Sequence, residues 1–231
     1  GLITSTVLSL LVVPAVFTYV DDFEHWLRRQ FGRLRRRPAD AGLPAAPTQG
    51  FERAGRVFLE SERFDRCAPW PDDPAGAPPG RIGMVSLLVY DAQYVGEMDH
   101  WAATAQRMQA RGLLTPEDAR TLRLLDAYGA LIGNTDRHYG NISLVLVEDD
   151  WHLSPTYDML PMLYMPIAGE LVAQELGLAR MAPTAATLDV WREARGLARD
   201  FWSAAALDDR ISGDFRAMAQ THADALATPY G

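Results

Sequence analysis

The stretch Gly133–Ser143, reading GNTDRHYGNIS, holds residue types that could move a phosphoryl group onto a hydroxyl. Asp136 and Asn141 stand five positions apart on a polar loop between an apolar helix and an apolar strand, and Asp158 returns in Tyr157-Asp158 after a hairpin-like segment. Such a transfer needs a carboxylate that orients the nucleophile and takes its proton, which Asp136 could be. It also needs oxygen ligands for Mg²⁺ against the phosphates, and Asn141 (neutral) and Asp158 (anionic) suit that hard cation.

Two blander readings compete. Asn134, Thr135 and Asp136 could simply cap a turn, as short polar side chains do. Alternatively, His138 and His152 could join Asp136 and Asp158 in a two-His, two-carboxylate hydrolytic metal site, if the hairpin returned His152 to the loop. His138 is otherwise expected to orient the loop by hydrogen bonding, and His152 to lie on a strand surface. Arg137 beside the base is read either as a phosphate contact or as a solvated side chain.

The elements that must position these groups read as follows. Arg56–Glu62 alternates as a lone strand. APWPDDPAGAPPG is a loop. Glu97–Arg111 is predicted helical, with Met98, Trp101, Ala105 and Met108 on one face. Thr115-Pro116-Glu117-Asp118 is a helix start with a hydroxyl cap, a proline and acids at the positive end of the dipole. Leu122, Leu125, Gly129 and Ile132 then form a stripe running to the stop at Gly133-Asn134. Ile142–Val147 and Trp151–Leu153 make a β-hairpin, a proline-broken loop follows, and two helices close the chain, carrying Val190, Ala194, Leu197 and Phe201, then Phe215, Met218, His222 and Leu226.

The first 20 residues carry no charge and are long enough to cross a bilayer. Six Arg, Trp26 and Phe31 follow, as in a juxtamembrane segment. A buried core helix with a basic tail is the other reading of this block. Residues 38–50 read as a linker. The expected organisation is therefore 1–37 a transmembrane-type helix and tail, 38–50 a linker, 51–80 a remnant strand, hinge and loop, and 81–231 a helical lobe. That placement puts the lobe in the cytoplasm, tethered to the inner membrane. The chain opens on Gly1 rather than Met, as a fragment would. Net charge is −8, with the acidic balance outside the first 50 residues, so direct nucleic-acid binding is not expected. Cys67 is the only cysteine, which rules out an intrachain disulfide.

Residues 1–30 (GLITSTVLSLLVVPAVFTYVDD and the tail) resemble the last transmembrane helix of resistance-nodulation-division efflux permeases. ERFDR, GNTDRHYGNIS and PTYDMLPMLY, in that order, resemble the HipA family of bacterial Ser/Thr kinases, toxins of toxin–antitoxin pairs, over roughly residues 55–230. The resemblance implies a mainly α (α+β) fold, a protein-kinase-like C-terminal lobe with a small hairpin. It implies ATP and Mg²⁺ as cofactors, a protein substrate with a Ser/Thr hydroxyl, and an antitoxin partner. It makes Asp136 the base and Asn141 and Asp158 the metal ligands. ERFDR becomes the interlobe hinge, where the backbone at Glu62 and Phe64 would hold adenine.

One departure bears on activity. All 22 basic residues are Arg, so the family's phosphate-binding Lys has no counterpart, and no glycine-rich strand–turn–strand is read ahead of Glu62. The expectation is a kinase lobe with impaired phosphotransfer. The alternatives are an inactive, membrane-tethered binding module or a gene-fusion remnant.

Overall fold

The computed structural model describes residues 45–46, 48–54, 56–61, 63–67, 80–165, 174–209 and 211–228. The apolar block 1–20, its basic tail and Glu62 lie outside them. The architecture is α+β, as expected. Two two-stranded ribbons, β1 (Thr48–Arg53) with β2 (Arg56–Ser61) and β3 (Arg66–Cys67) with β4 (Gly80–Arg81), precede the lobe. A three-stranded antiparallel sheet of β5 (Met84–Ser86), β6 (Ser143–Val147) and β7 (Asp150–Leu153) follows, in the order β5-β6-β7. The helices are α1 (Leu87–Tyr94), α2 (Trp101–Ala110), α3 (Pro116–Leu131), α4 (Trp191–Leu207) and α5 (Gly213–Ala227).

Helix α3 is the axis of the lobe. Its start forms as its residues dictate: the Thr115 hydroxyl accepts the Asp118 N–H at 3.1 Å, with Pro116 in the first turn. Both its faces are buried. Ala119, Leu122 and Leu125 pack with Leu87, Trp101, Met108 and Leu144, whereas Leu124, Ala127 and Leu131 pack with α4 and α5 around Trp202. Beyond its last turn the chain reverses at Gly133, whose φ of +77° favours a residue without Cβ. The β6–β7 hairpin turns through Glu148 and Asp149 with φ of +50° and +76°, both left-handed, as a two-residue hairpin with a right-handed twist requires.

Several expectations are corrected. The strand at Arg56 is not alone: β1, which begins inside the stretch read as linker, pairs with it from Thr48↔Ser61 to Arg53↔Arg56. Strand, turn and strand therefore do precede Glu62, and Ala46 donates from its N–H to the Thr156 carbonyl at 2.9 Å. The helix read from Glu97 starts at Trp101, leaving Met98 75% exposed instead of buried. The membrane-tethered placement is also overturned: no helix among the described residues is long and apolar enough to cross a membrane.

The α5 stripe includes one polar anchor. His222 Nε2 lies 2.6 Å from the Tyr164 hydroxyl, against the Trp202 ring. Burial pushes the Tyr164 pKa up to about 12, so the phenol keeps its proton and donates, while burial lowers that of His222 and favours the neutral acceptor. A depressed folded-state value means stability that is complete above the ordinary 6.5 and is lost as pH falls through the folded value. Thermal unfolding followed from pH 8 to pH 5 should show this loss, and His222→Gln should flatten it.

Candidate functional site

The polar loop after α3 is built from its own side chains. Asn134 is buried and its Oδ1 accepts the Asp136 N–H at 2.9 Å. The turn-capping role thus falls to Asn134, and the Asp136 side chain is left 47% exposed, free to meet a substrate. His138 Nδ1 accepts the Gly140 N–H at 2.9 Å and starts the 3₁₀ turn Tyr139–Asn141, while its Nε2 stands 3.7 Å from Asp136 Oδ1. A Cβ on Gly140 would come within 2.8 Å of the His138 ring, so a larger residue there would displace that ring.

Asn141 and Asp136 are brought together. Asn141 Nδ2 donates to the Asp136 carbonyl at 2.9 Å and approaches its Oδ2 at 3.4 Å. Those bonds use the amide nitrogen and leave the Asn141 Oδ1 lone pairs for another group. Asp158 follows on the segment behind β7, with φ of +54°. A non-glycine residue held there is strained, and such strain collects at functional positions. Asp158 keeps an exposed edge, yet partial burial of its carboxyl raises its pKa, with the neighbouring Asp136 charge raising it further and His138 partly opposing. A bound cation would relieve two carboxylates that repel each other.

Tyr157 is a connecting residue that its sequence context did not single out. Its hydroxyl donates to the Gly140 carbonyl at 3.1 Å and lies 2.7 Å from Ser143 Oγ, so Asp158 is tied to the loop and to β6. Phe64 stacks on the Tyr157 ring at 5.8 Å between centroids, which brings the ERFDR segment to the same centre. That segment is itself fixed by Asp65, whose carboxylate receives Arg63 at 2.5 Å and Arg66 at 2.8 Å. The bond from Arg63 lowers the Asp65 pKa most.

Arg137 is not a solvated side chain. Its Nε donates to Asp126 Oδ1 at 3.1 Å and its terminal nitrogen bonds the Asn134 carbonyl, so the loop is clamped onto α3. Asp126 also accepts the Ala102 N–H at 3.0 Å, joining α2 to the clamp. Gly129 makes room: a Cβ there would meet Arg137 Cδ at 2.7 Å. The hydrolytic metal site is not formed. His152 turns to Asp118 at 3.1 Å, and no three His, Cys, Asp or Glu side chains cluster as a metal set among the described residues.

Asparagine oxygen and one carboxylate are a hard, sparse donor set that suits Mg²⁺, which takes few protein ligands and shares the rest with phosphate. Because Asp158 must lose its proton to bind a cation, divalent-ion affinity should fall as pH drops through its raised pKa. Asp158→Asn removes that titration and a repelled charge together. It should therefore abolish metal binding while raising the melting temperature, a combination read by calorimetry at several Mg²⁺ concentrations.

These elements define a kinase-like α+β lobe, and the comparisons with known proteins agree. The chain belongs to the HipA-like C-terminal domain family, whose description matches residues 36–226. It is 34% identical over 188 residues to toxin YjjJ of Escherichia coli (strain K12), spanning 78% of this chain and 39% of that protein. Among solved structures, Shewanella oneidensis MR-1 HipA, from a complex with HipB and operator DNA, superposes with a TM-score of 0.54 at 14% identity, over 89% of this chain and 54% of its own. The Helicobacter pylori proinflammatory kinase CtkA gives 0.53 at 11% identity, over 92% of this chain and 80% of its own.

Proposed function

We propose that this chain is the catalytic lobe of a HipA-like Ser/Thr protein kinase, with phosphotransfer that is ATP- and Mg²⁺-dependent and slow. The observation carrying this reading is the joint placement of Asp136, Asn141 and Asp158 around one polar loop, with Asp136 exposed. Asp136 would take the proton of a Ser or Thr hydroxyl as its oxygen attacks the γ-phosphorus and the bond to the bridging oxygen breaks. Asn141 Oδ1 and the Asp158 carboxylate would hold Mg²⁺, which supplies charge neutralisation on the phosphates. The backbone at Glu62 and Phe64 would seat adenine, Phe64 being supported by Tyr157.

Slowness is proposed for the given chain taken by itself, in which all 22 basic residues are Arg and none is the usual phosphate-pairing Lys. An antitoxin protein is the proposed partner, as HipB is for the Shewanella protein. A second reading, a binding module without turnover, is favoured by that same missing Lys. Incubating the full chain with γ-radiolabelled ATP, Mg²⁺ and a Ser/Thr protein mixture separates them. Slow label transfer lost in Asn141→Ala and Asp158→Asn supports the kinase, and no transfer at high enzyme concentration supports the binding module.

A further inference from the structure

Two phenols grip the short turn that follows Asp136. Tyr157 holds the Gly140 carbonyl from the segment that carries Asp158. Tyr139 ties the same turn to α2. Its ring is buried in the cluster with Leu87, Trp101 and Met108, and its hydroxyl meets the chain just ahead of that helix.

The direction of its bonds follows from the partners. The Asp99 N–H can only donate, so the phenol oxygen accepts it, at 2.7 Å, and the phenol proton is left for Thr104 Oγ1. The Arg107 guanidinium also only donates. It reaches the same Thr104 oxygen at 3.2 Å, the Asp99 carboxylate at 3.1 Å and the Glu97 carbonyl at 2.8 Å. Thr104 is fully buried, so a partner removed from this network leaves a buried polar group unpaired. A directed network thus joins a cation on α2, through one buried hydroxyl, to the residue between His138 and Gly140.

Beside it lies a cavity of about 250 Å³, with Asp99–Trp101 on one wall and Thr135–His138, which includes Asp136, on the other. The bond from Asp99 to Tyr139 links the turn of the first wall to the residue that ends the second. Arg137 links the loop to Ala102 less directly, through the shared Asp126 carboxylate. Neither Asn141 nor Asp158 lines the cavity, so the two walls can shift against each other without parting those two residues.

We propose that Tyr139 is a positioning residue for phosphotransfer: its hydroxyl, directed by Thr104, holds the Asp99–Trp101 wall in register with the Asp136 loop and so sets the space in which an acceptor hydroxyl meets Asp136. The proposal rests on the phosphotransfer reading above. It divides the site in two. Without the Tyr139 hydroxyl, Asn141 and Asp158 keep their tie through Tyr157, so metal and nucleotide stay bound while the acceptor is misplaced.

The test uses the full chain with γ-radiolabelled ATP, Mg²⁺ and dephosphorylated casein as the Ser/Thr acceptor, under single-turnover conditions. Calorimetric binding of a non-hydrolysable ATP analogue with Mg²⁺ is measured beside it. Tyr139→Phe and Thr104→Val should slow transfer at saturating ATP by about tenfold to 10²-fold, the cost of a misplacement of up to about 1 Å, with affinity for the analogue within about twofold of wild type. Thr104→Ser, which keeps the hydroxyl that Thr104→Val removes, should restore transfer to within about threefold of wild type. An unchanged rate in Tyr139→Phe, a Thr104→Ser variant as slow as Thr104→Val, or analogue affinity falling in step with the rate overturns the positioning role alone. No transfer by the wild type at high enzyme concentration overturns the phosphotransfer reading and the positioning role with it.

Discussion

Asp126→Ala should lower the unfolding free energy by about 3 kcal/mol, near the bottom of the range for breaking a buried ion pair because Arg137 keeps some solvent contact. The Asp126 carboxylate receives both Arg137 Nε and the Ala102 N–H, so truncation leaves a half-buried guanidinium and a helix-start amide without their acceptor. Asp126→Asn, which keeps one carbonyl acceptor, should lose less than Asp126→Ala. Urea denaturation of the three proteins measures the series. The alanine variant should also loosen the Asp136 loop, seen as faster amide exchange at Asp136 and Arg137. A stability loss confined to α2, with that loop still protected, would show that Arg137 does not clamp it.

The other large effect is on rate. Asp136→Asn should reduce residual phosphotransfer by about 10²–10⁴-fold, the usual contribution of a positioned general base. On the proposed reading the chain as given also starts from a low rate, since each absent group that stabilises the transferring phosphate costs about 10²–10³. Single-turnover label transfer with excess enzyme gives both numbers. Equal rates for the wild type and Asp136→Asn would remove Asp136 from the chemistry, and a fast wild type would show that an Arg substitutes for the Lys.

Much of this was legible where the determinants are local. The cap and proline at Thr115-Pro116, the stop at Gly133 and the hairpin at Glu148-Asp149 each follow from a few adjacent residues, and all three form. Asp136 and Asn141 meet because five residues and one 3₁₀ turn suffice to bring them together. Pairings between distant segments were not legible. Arg137 finds Asp126 eleven positions back on α3, Tyr157 reaches Gly140 across the hairpin, and β1 joins β2 although its sequence, TQGFER, has the composition of a loop. The continuous run MVSLLVYD hid a strand and a helix, because an apolar stretch without periodicity fits either, and only the Ser86 cap marks the change. Met98 illustrates the opposite error: it fits the periodicity of α2 but stands outside the helix, where nothing covers it.

Paramagnetic broadening by Mn²⁺ decides whether Asn141 and Asp158 hold a divalent ion beside Asp136. With Mn²⁺ and ATP added to the ¹⁵N-labelled chain at pH 7, the resonances of Asn141, Asp158 and Asp136 should broaden first, and Asp158→Asn should abolish the effect. Broadening that is absent there, or that centres on the distant Glu148-Asp149 turn, would contradict it.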